Sequence, residues 1–72
     1  MTQMSVYAII PGGDVFCAMA VTRGQAMDLA MFIKRYVPGS LGVSFHGAGL
    51  SGEVGFRDVS EALMHSTLPY TI

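Results

Sequence analysis

Two apolar runs occupy the first 21 positions of the chain, and a turn sequence separates them. Residues 4–10 combine β-branched and aromatic side chains, which is typical of a strand, and residues 11–14 read Pro-Gly-Gly-Asp. The segment 15–21 has no polar side chain on either face. Because an antiparallel strand with one solvated face alternates apolar and polar residues, we predict a hairpin whose second strand is central and covered on both sides. Regular alternation places Val15, Cys17, Met19 and Val21 on one face and Phe16, Ala18 and Ala20 on the other.

A helical pattern follows at residues 23–37. Thr22 can cap the amide three residues later, Gln25 can reach back to the amide of Thr22, and Pro38 stops the helix. At about 100° per residue, one face is apolar and is predicted to pack on the sheet: Ala26, Leu29, Ala30, Ile33, Tyr36 and Val37. Three large apolar residues lie outside this face, among charged side chains: Met27, Met31 and Phe32.

A second hairpin is predicted from residues 41–57. Residues 41–46 alternate, with Leu41, Val43 and Phe45 directed inward and Gly42, Ser44 and His46 outward. Residues 53–57 form the returning strand, with Val54 and Phe56 inward. The glycine-rich residues 47–52 between them are predicted to be a flexible loop.

The last segment predicts a short helix that opens with a capping box at Asp58 and Glu61 and runs through about residue 66. Residues 68–72 are a candidate edge strand, where Pro69 is tolerated. The order is therefore β-β-α-β-β-α, with a possible final strand. We predict one α+β domain over residues 1–72, a two-layer sandwich in which an antiparallel sheet of about four strands carries helices on one face.

The composition adds a surplus of apolar groups to this fold. The chain is 51% hydrophobic and 12% charged, with a mean hydropathy of +0.50, whereas typical domains are about 25% charged. A chain of this length buries only about 60% of the surface that its unfolded form exposes. We therefore expect apolar side chains on the surface, where they mark contact with a partner.

Charge and chain pattern exclude several partners. The net charge is −1 with four basic residues, too few for the basic stripe that nucleic acids or anionic membrane surfaces require. The longest apolar run is far shorter than the ~20 residues of a membrane span, and no signal peptide precedes it. A single cysteine, Cys17, cannot form an internal disulfide. We expect a soluble, cytoplasmic protein.

Residues 47–52 read Gly-Ala-Gly-Leu-Ser-Gly, which matches the glycine spacing of dinucleotide-binding loops. That motif needs a helix after it, whereas a strand is predicted here, so we interpret it as a hairpin connection. A looser anion site at its amides remains the alternative. Its candidate ligand-binding residues are Ser44, His46, Gly47, Gly49 and Gly52.

The sequence gives little support for a catalytic site or a metal site. Cys17 lies in an apolar strand, where a thiol is usually inert, and metal sites need ligands beyond the two histidines, His46 and His65. We predict no catalytic residue, no metal and no cofactor. An enzyme that assembles its site only between chains is kept as a further alternative.

The sequence favours a protein-interaction module, either a homodimer or a regulator or inhibitor of a larger protein. Met27, Met31 and Phe32 form one candidate contact surface on the helix, and burial of these three residues under the C-terminal segment is the alternative. Tyr7 and Ile9 form a second, on the strand face that the helices leave open, where a second copy could pack sheet to sheet.

Overall fold

A computed structural model describes residues 2–70 of the chain. Within this range the elements are β1 (Met4–Ile10), β2 (Gly13–Ala20), α1 (Arg23–Tyr36), β3 (Gly42–Gly47), β4 (Leu50–Gly55), a 3₁₀ turn (Phe56–Asp58) and α2 (Val59–Met64). The predicted α+β class and β-β-α-β-β-α order are confirmed. Residues 68–70 are not a strand, so that part of the candidate edge strand is wrong, and residues 71–72 lie outside the described range.

The sheet is antiparallel throughout, with strand order β2-β1-β3-β4. The long connection through α1 returns the chain to the free side of β1, so β1 and β3 become the central strands. The prediction that the second strand is central and covered on both sides is therefore wrong. β2 is an edge strand, and its Val15, Phe16 and Met19 are exposed.

A bulge in β2 changes which of its side chains share a face. Val6 lies opposite Ala18 but Tyr7 lies opposite Phe16, which leaves Cys17 as the extra residue. Residues directly opposite each other in a pair point to the same side of the sheet. Phe16 and Met19 therefore share a face, although regular alternation assigns them to opposite faces.

Both helices cover the same face of the sheet and enclose one core. Its buried members are Met4, Val6, Ala8, Ala20, Ala26, Ala30, Ile33, Val43, Phe45, Val59, Leu63 and Leu68. Two residues predicted to point inward are instead exposed, Tyr36 at 59% and Leu41 at 66%. Tyr36 is the last residue of α1, and its ring packs on that of Phe32. Leu41 precedes β3 and is joined to the sheet through its amide, which donates to Ile9 O.

The two predicted capping boxes differ in outcome. Thr22 Oγ1 accepts from Gln25 N at 3.1 Å, as predicted, but Gln25 Oε1 accepts from the amide of Val21 at 2.9 Å and not from that of Thr22. At α2 the Asp58 side chain makes no capping hydrogen bond, because a 3₁₀ turn already leads into the helix. Only α1 therefore begins at a side-chain cap.

Candidate functional site

The face of the sheet opposite the helices carries a continuous group of apolar side chains. Tyr7 and Ile9 on β1 are half-buried there, and Phe16 and Met19 on β2 are 51% and 44% exposed. We call this group of four residues the open-face patch. It contains both strand residues that the alternation of β1 marked as a candidate surface, and the β2 bulge adds two larger apolar groups beside them.

Aromatic rings hold the patch together across three neighbouring strands. The ring centroids of Tyr7 and Phe16 are 5.1 Å apart in a tilted arrangement. On the other side of Tyr7, the His46 ring lies 5.4 Å away with its plane at 88°, an edge-to-face contact. Ser5 Oγ lies 3.1 Å from Met19 Sδ and donates to it, which positions the methionine over β1. These contacts order the patch before any partner arrives.

Charged groups on the open face are confined to the two edge strands. Asp14 lies opposite Ile9 on β2, and Glu53 lies opposite Ser44 on β4. The central strands β1 and β3 carry no charged carboxylate, lysine or arginine side chain. The middle of this face therefore combines the apolar and aromatic side chains of β1 with the polar Ser44 and His46 of β3, and its acidic groups lie only on the edge strands.

The Ser44 and His46 pair lies beside the patch. The serine hydroxyl and His46 Nε2 are 2.8 Å apart, which is the spacing of a nucleophile and its base. Ser44 is only 2% exposed, however, because Tyr7 and Glu53 stand on either side of it on the neighbouring strands. The hydrogen bond between the two side chains orients the His46 ring against Tyr7.

The glycine-rich segment is a tight turn followed by a strand, so the predicted flexible loop is wrong. Ala48 and Gly49 form a two-residue turn with φ of +52° and +81°, and Gly47 pairs with Leu50 across it. The amide of Thr67 donates to Ala48 O at 2.8 Å and fastens the turn to the C-terminal segment. The amides are thus committed to a hairpin rather than to the helix start that binds a pyrophosphate.

The candidate ligand residues do not form one pocket. Ser44 and His46 lie on the open face, while Gly47 and Gly49 lie in or beside the hairpin turn. Gly52 is opposite Phe45, on the face that the helices cover. The five residues are therefore divided among three places in the fold.

The candidate helix surface is also divided. Met31 and Phe32 are exposed at 41% and 57%, as the helical period predicts, and the Phe32 ring lies 4.9 Å from that of Tyr36. Met27 is instead partly buried and packs against the core, since α2 lies beside this part of α1. Its assignment to the solvent-facing sector is wrong.

The described range offers few residues for metal binding or thiol chemistry. No three of the His, Cys, Asp and Glu side chains in residues 2–70 are grouped to hold a metal ion. Cys17 is partly buried at the bulge, with Sγ 3.7 Å from Val15 O. None of the helices within residues 2–70 has the length and apolar character to cross a bilayer.

Comparison of the chain with family models, curated proteins and solved structures finds no match. Sequence reasoning missed Phe16 and Met19 as candidate contact residues, since no sequence signal marks the bulge that brings them to the open face.

Proposed function

We propose that the protein is a small self-associating interaction domain, a homodimer in which the open faces of two sheets pack against each other. The observation that carries this proposal is the open-face patch. It places two exposed large apolar side chains beside an ordered tyrosine on a face that no element of residues 2–70 covers. Aligned packing of two such sheets would form a β-sandwich core about 10 Å thick.

The charge distribution favours a second copy over a charged partner. A strongly basic or acidic partner would need opposite charges in the middle of the face, and the central strands offer none. Two copies of the same face can meet because their like charges, Asp14 and Glu53, remain at the edges and stay solvated. Like-charge contact, which penalises most self-pairing, is thereby avoided.

The size of the face is adequate for a modest interface. Four strands spaced about 4.8 Å apart, each about six residues long, make a face about 20 Å on each side. A standard interface removes about 800 Å² from each partner, which is about a fifth of the 4431 Å² surface of this chain. The flat area of the open face is about half of that standard, so the proposed dimer would be a weak one that dissociates on dilution.

Two related functions have less support. Binding of an anion at the 47–52 segment would need its glycines grouped around one point, and they are dispersed. Regulation of a larger protein through the same patch remains an outcome of the test below. We also propose a cytoplasmic location, supported by the single cysteine, which fits a reducing compartment.

Light scattering behind a sizing column, over micromolar to millimolar protein, tests the proposal. The expected mass is twice the 7.7 kDa of the chain, falling to one chain on dilution. Phe16→Lys should give a monomer at all concentrations, because it replaces the most exposed apolar side chain of the open-face patch with a charged one. Phe32→Lys is the matched control, since Phe32 is equally exposed but lies on α1, and it should still dimerise.

Two results would overturn the proposal. A wild-type mass of one chain throughout the range would mean that the patch binds a different protein or none. Loss of the dimer in Phe32→Lys, with Phe16→Lys unaffected, would move the interface to the helix.

A further inference from the structure

A groove between the two helices lies on the opposite side of the molecule from the open-face patch. Its volume is about 380 Å³, within the range of small-ligand sites. The start of α1, the middle of α2 and the C-terminal segment form its walls, with these lining residues: Arg23, Gly24, Met27, Ser60, Leu63, Met64 and Tyr70. Most of its lining is therefore apolar, and among the described residues Arg23 is the only charged one in it.

Arg23 is held in place by the segment that follows α2. Its amide donates to Pro69 O at 2.9 Å, and its Nη2 donates to Ser66 O at 3.1 Å. The guanidinium carbon lies 5.6 Å from the centre of the Tyr70 ring, a cation–π contact. The side chain is thus fixed at the groove before a ligand binds, which lowers the entropic cost of binding.

Within residues 2–70, no acidic residue of the groove balances the charge of this arginine, and Arg23 Nε is buried without a hydrogen-bond partner. A guanidinium has five N–H donors, and in the described part of the chain one of them has an acceptor, Ser66 O. An apolar groove with one fixed, uncompensated cation is complementary to a single negative charge on an apolar body.

We propose that this groove binds a small carboxylate that carries an apolar chain. The planar guanidinium matches the two oxygens of a carboxylate better than it matches a point charge, and the Ser60 hydroxyl is available as a further donor. Met27, Leu63 and Met64 would contact the apolar chain, and methionine adapts to chains of varied shape. This site is separate from self-association, which uses the other side of the sheet.

Octanoate is a suitable probe, titrated into ¹⁵N-labelled protein and followed by amide chemical shifts. Shifts should be confined to the amides of Arg23, Gly24 and residues 60–64, and they should saturate. Acetate lacks the apolar chain, and octylammonium reverses the charge, so both should bind at least about tenfold more weakly. Equal binding of either control, or no saturable shift with octanoate, would overturn the proposal.

A matched pair of variants locates the site. Met64→Glu puts a negative charge on the groove wall at a position that is 67% exposed, so folding should be unaffected. It should weaken octanoate by about tenfold through like-charge repulsion. Met31→Glu makes the same change on an exposed position of α1 outside the groove and should alter affinity by less than about twofold. An equal effect of both variants would contradict the proposed site, and neither variant touches the dimer surface, so the two proposals can fail separately.

Discussion

On β1, Met4, Val6 and Ala8 lie under the helices and are fully buried, whereas Tyr7 and Ile9 on the same strand face the other way and remain half-exposed. The two faces of the sheet share one backbone, so strand propensity cannot account for the difference. The covered face is apolar because the fold needs its core. The open-face patch is apolar without that need, and the proposed contact with a second copy would cover it.

Truncation of one phenylalanine on each face should give the largest difference in stability between the two faces. Phe45→Ala removes a buried ring from the covered face and should lower the free energy of unfolding by about 3–5 kcal/mol. Phe16→Ala removes a half-exposed ring from the open face and should lower it by less than about 1 kcal/mol in the monomer. Urea unfolding at concentrations below dimerisation measures both, with Phe45→Leu as a milder variant should Phe45→Ala not fold. Equal losses would mean that the open face belongs to the core.

Two glycines show where the open face is closely packed. Gly42 and Gly55 lie opposite each other on β3 and β4. A Cβ on Gly42 would overlap the carbonyl oxygen of Val54, whereas a Cβ on Gly55 would have its nearest neighbour, Asp58 Oδ2, at 3.9 Å. We expect Gly42→Ala to cost about 1–3 kcal/mol and Gly55→Ala to be nearly neutral in thermal or urea unfolding. The reverse ranking of the two losses would contradict the close approach of β4 to Gly42.

The helix layer that distinguishes the covered face depends on how α1 begins. Thr22→Ala removes the hydroxyl that accepts from Gln25 N and should cost about 1 kcal/mol. Asp58→Ala is the control at α2, where no side-chain cap exists, and it should change stability by less than about 0.5 kcal/mol. Urea midpoints with unchanged slopes would measure both effects. A larger loss of stability for Asp58→Ala than for Thr22→Ala would mean that Asp58 does cap α2, as the sequence predicts.

The smallest expected effect lies at the turn where β3 leads into β4. Ala48 has φ of +52°, a conformation that costs an L residue about 1–2 kcal/mol and glycine almost nothing. Because glycine also gains freedom in the unfolded chain, we expect Ala48→Gly to raise stability by only about 0.5–1 kcal/mol. Gly49→Ala, at φ of +81°, should lower it. A loss for Ala48→Gly in thermal unfolding would contradict the turn geometry.

Local patterns in the sequence predict the elements well but not their arrangement. The bounds of β1 follow from residue types alone, and the start of α1 follows from Thr22. The edge position of β2 depends on which side of β1 receives β3, which is a property of the whole chain. Leu41 and Tyr36 fit the apolar periodicity, yet each lies at an element end, beyond the layer that would bury it.

The candidate site is also only partly predictable from the sequence. Alternation along β1 predicts Tyr7 and Ile9 on one uncovered face, because β1 is regular. Phe16 and Met19 join them only through the bulge at Cys17, and a run of apolar residues contains no signal for a bulge. The Arg23 groove requires the C-terminal segment to return to α1, a long-range contact that residue spacing does not encode.

Isotope-filtered nuclear Overhauser spectroscopy on a mixture of labelled and unlabelled chains tests self-association through the open face most directly. At concentrations where light scattering detects the dimer, packing through this face predicts contacts between copies from the Tyr7 and Phe16 rings to the methyl groups of Ile9 and Met19. Contacts between copies that involve only Met31 and Phe32, with none from the open-face patch, would contradict it.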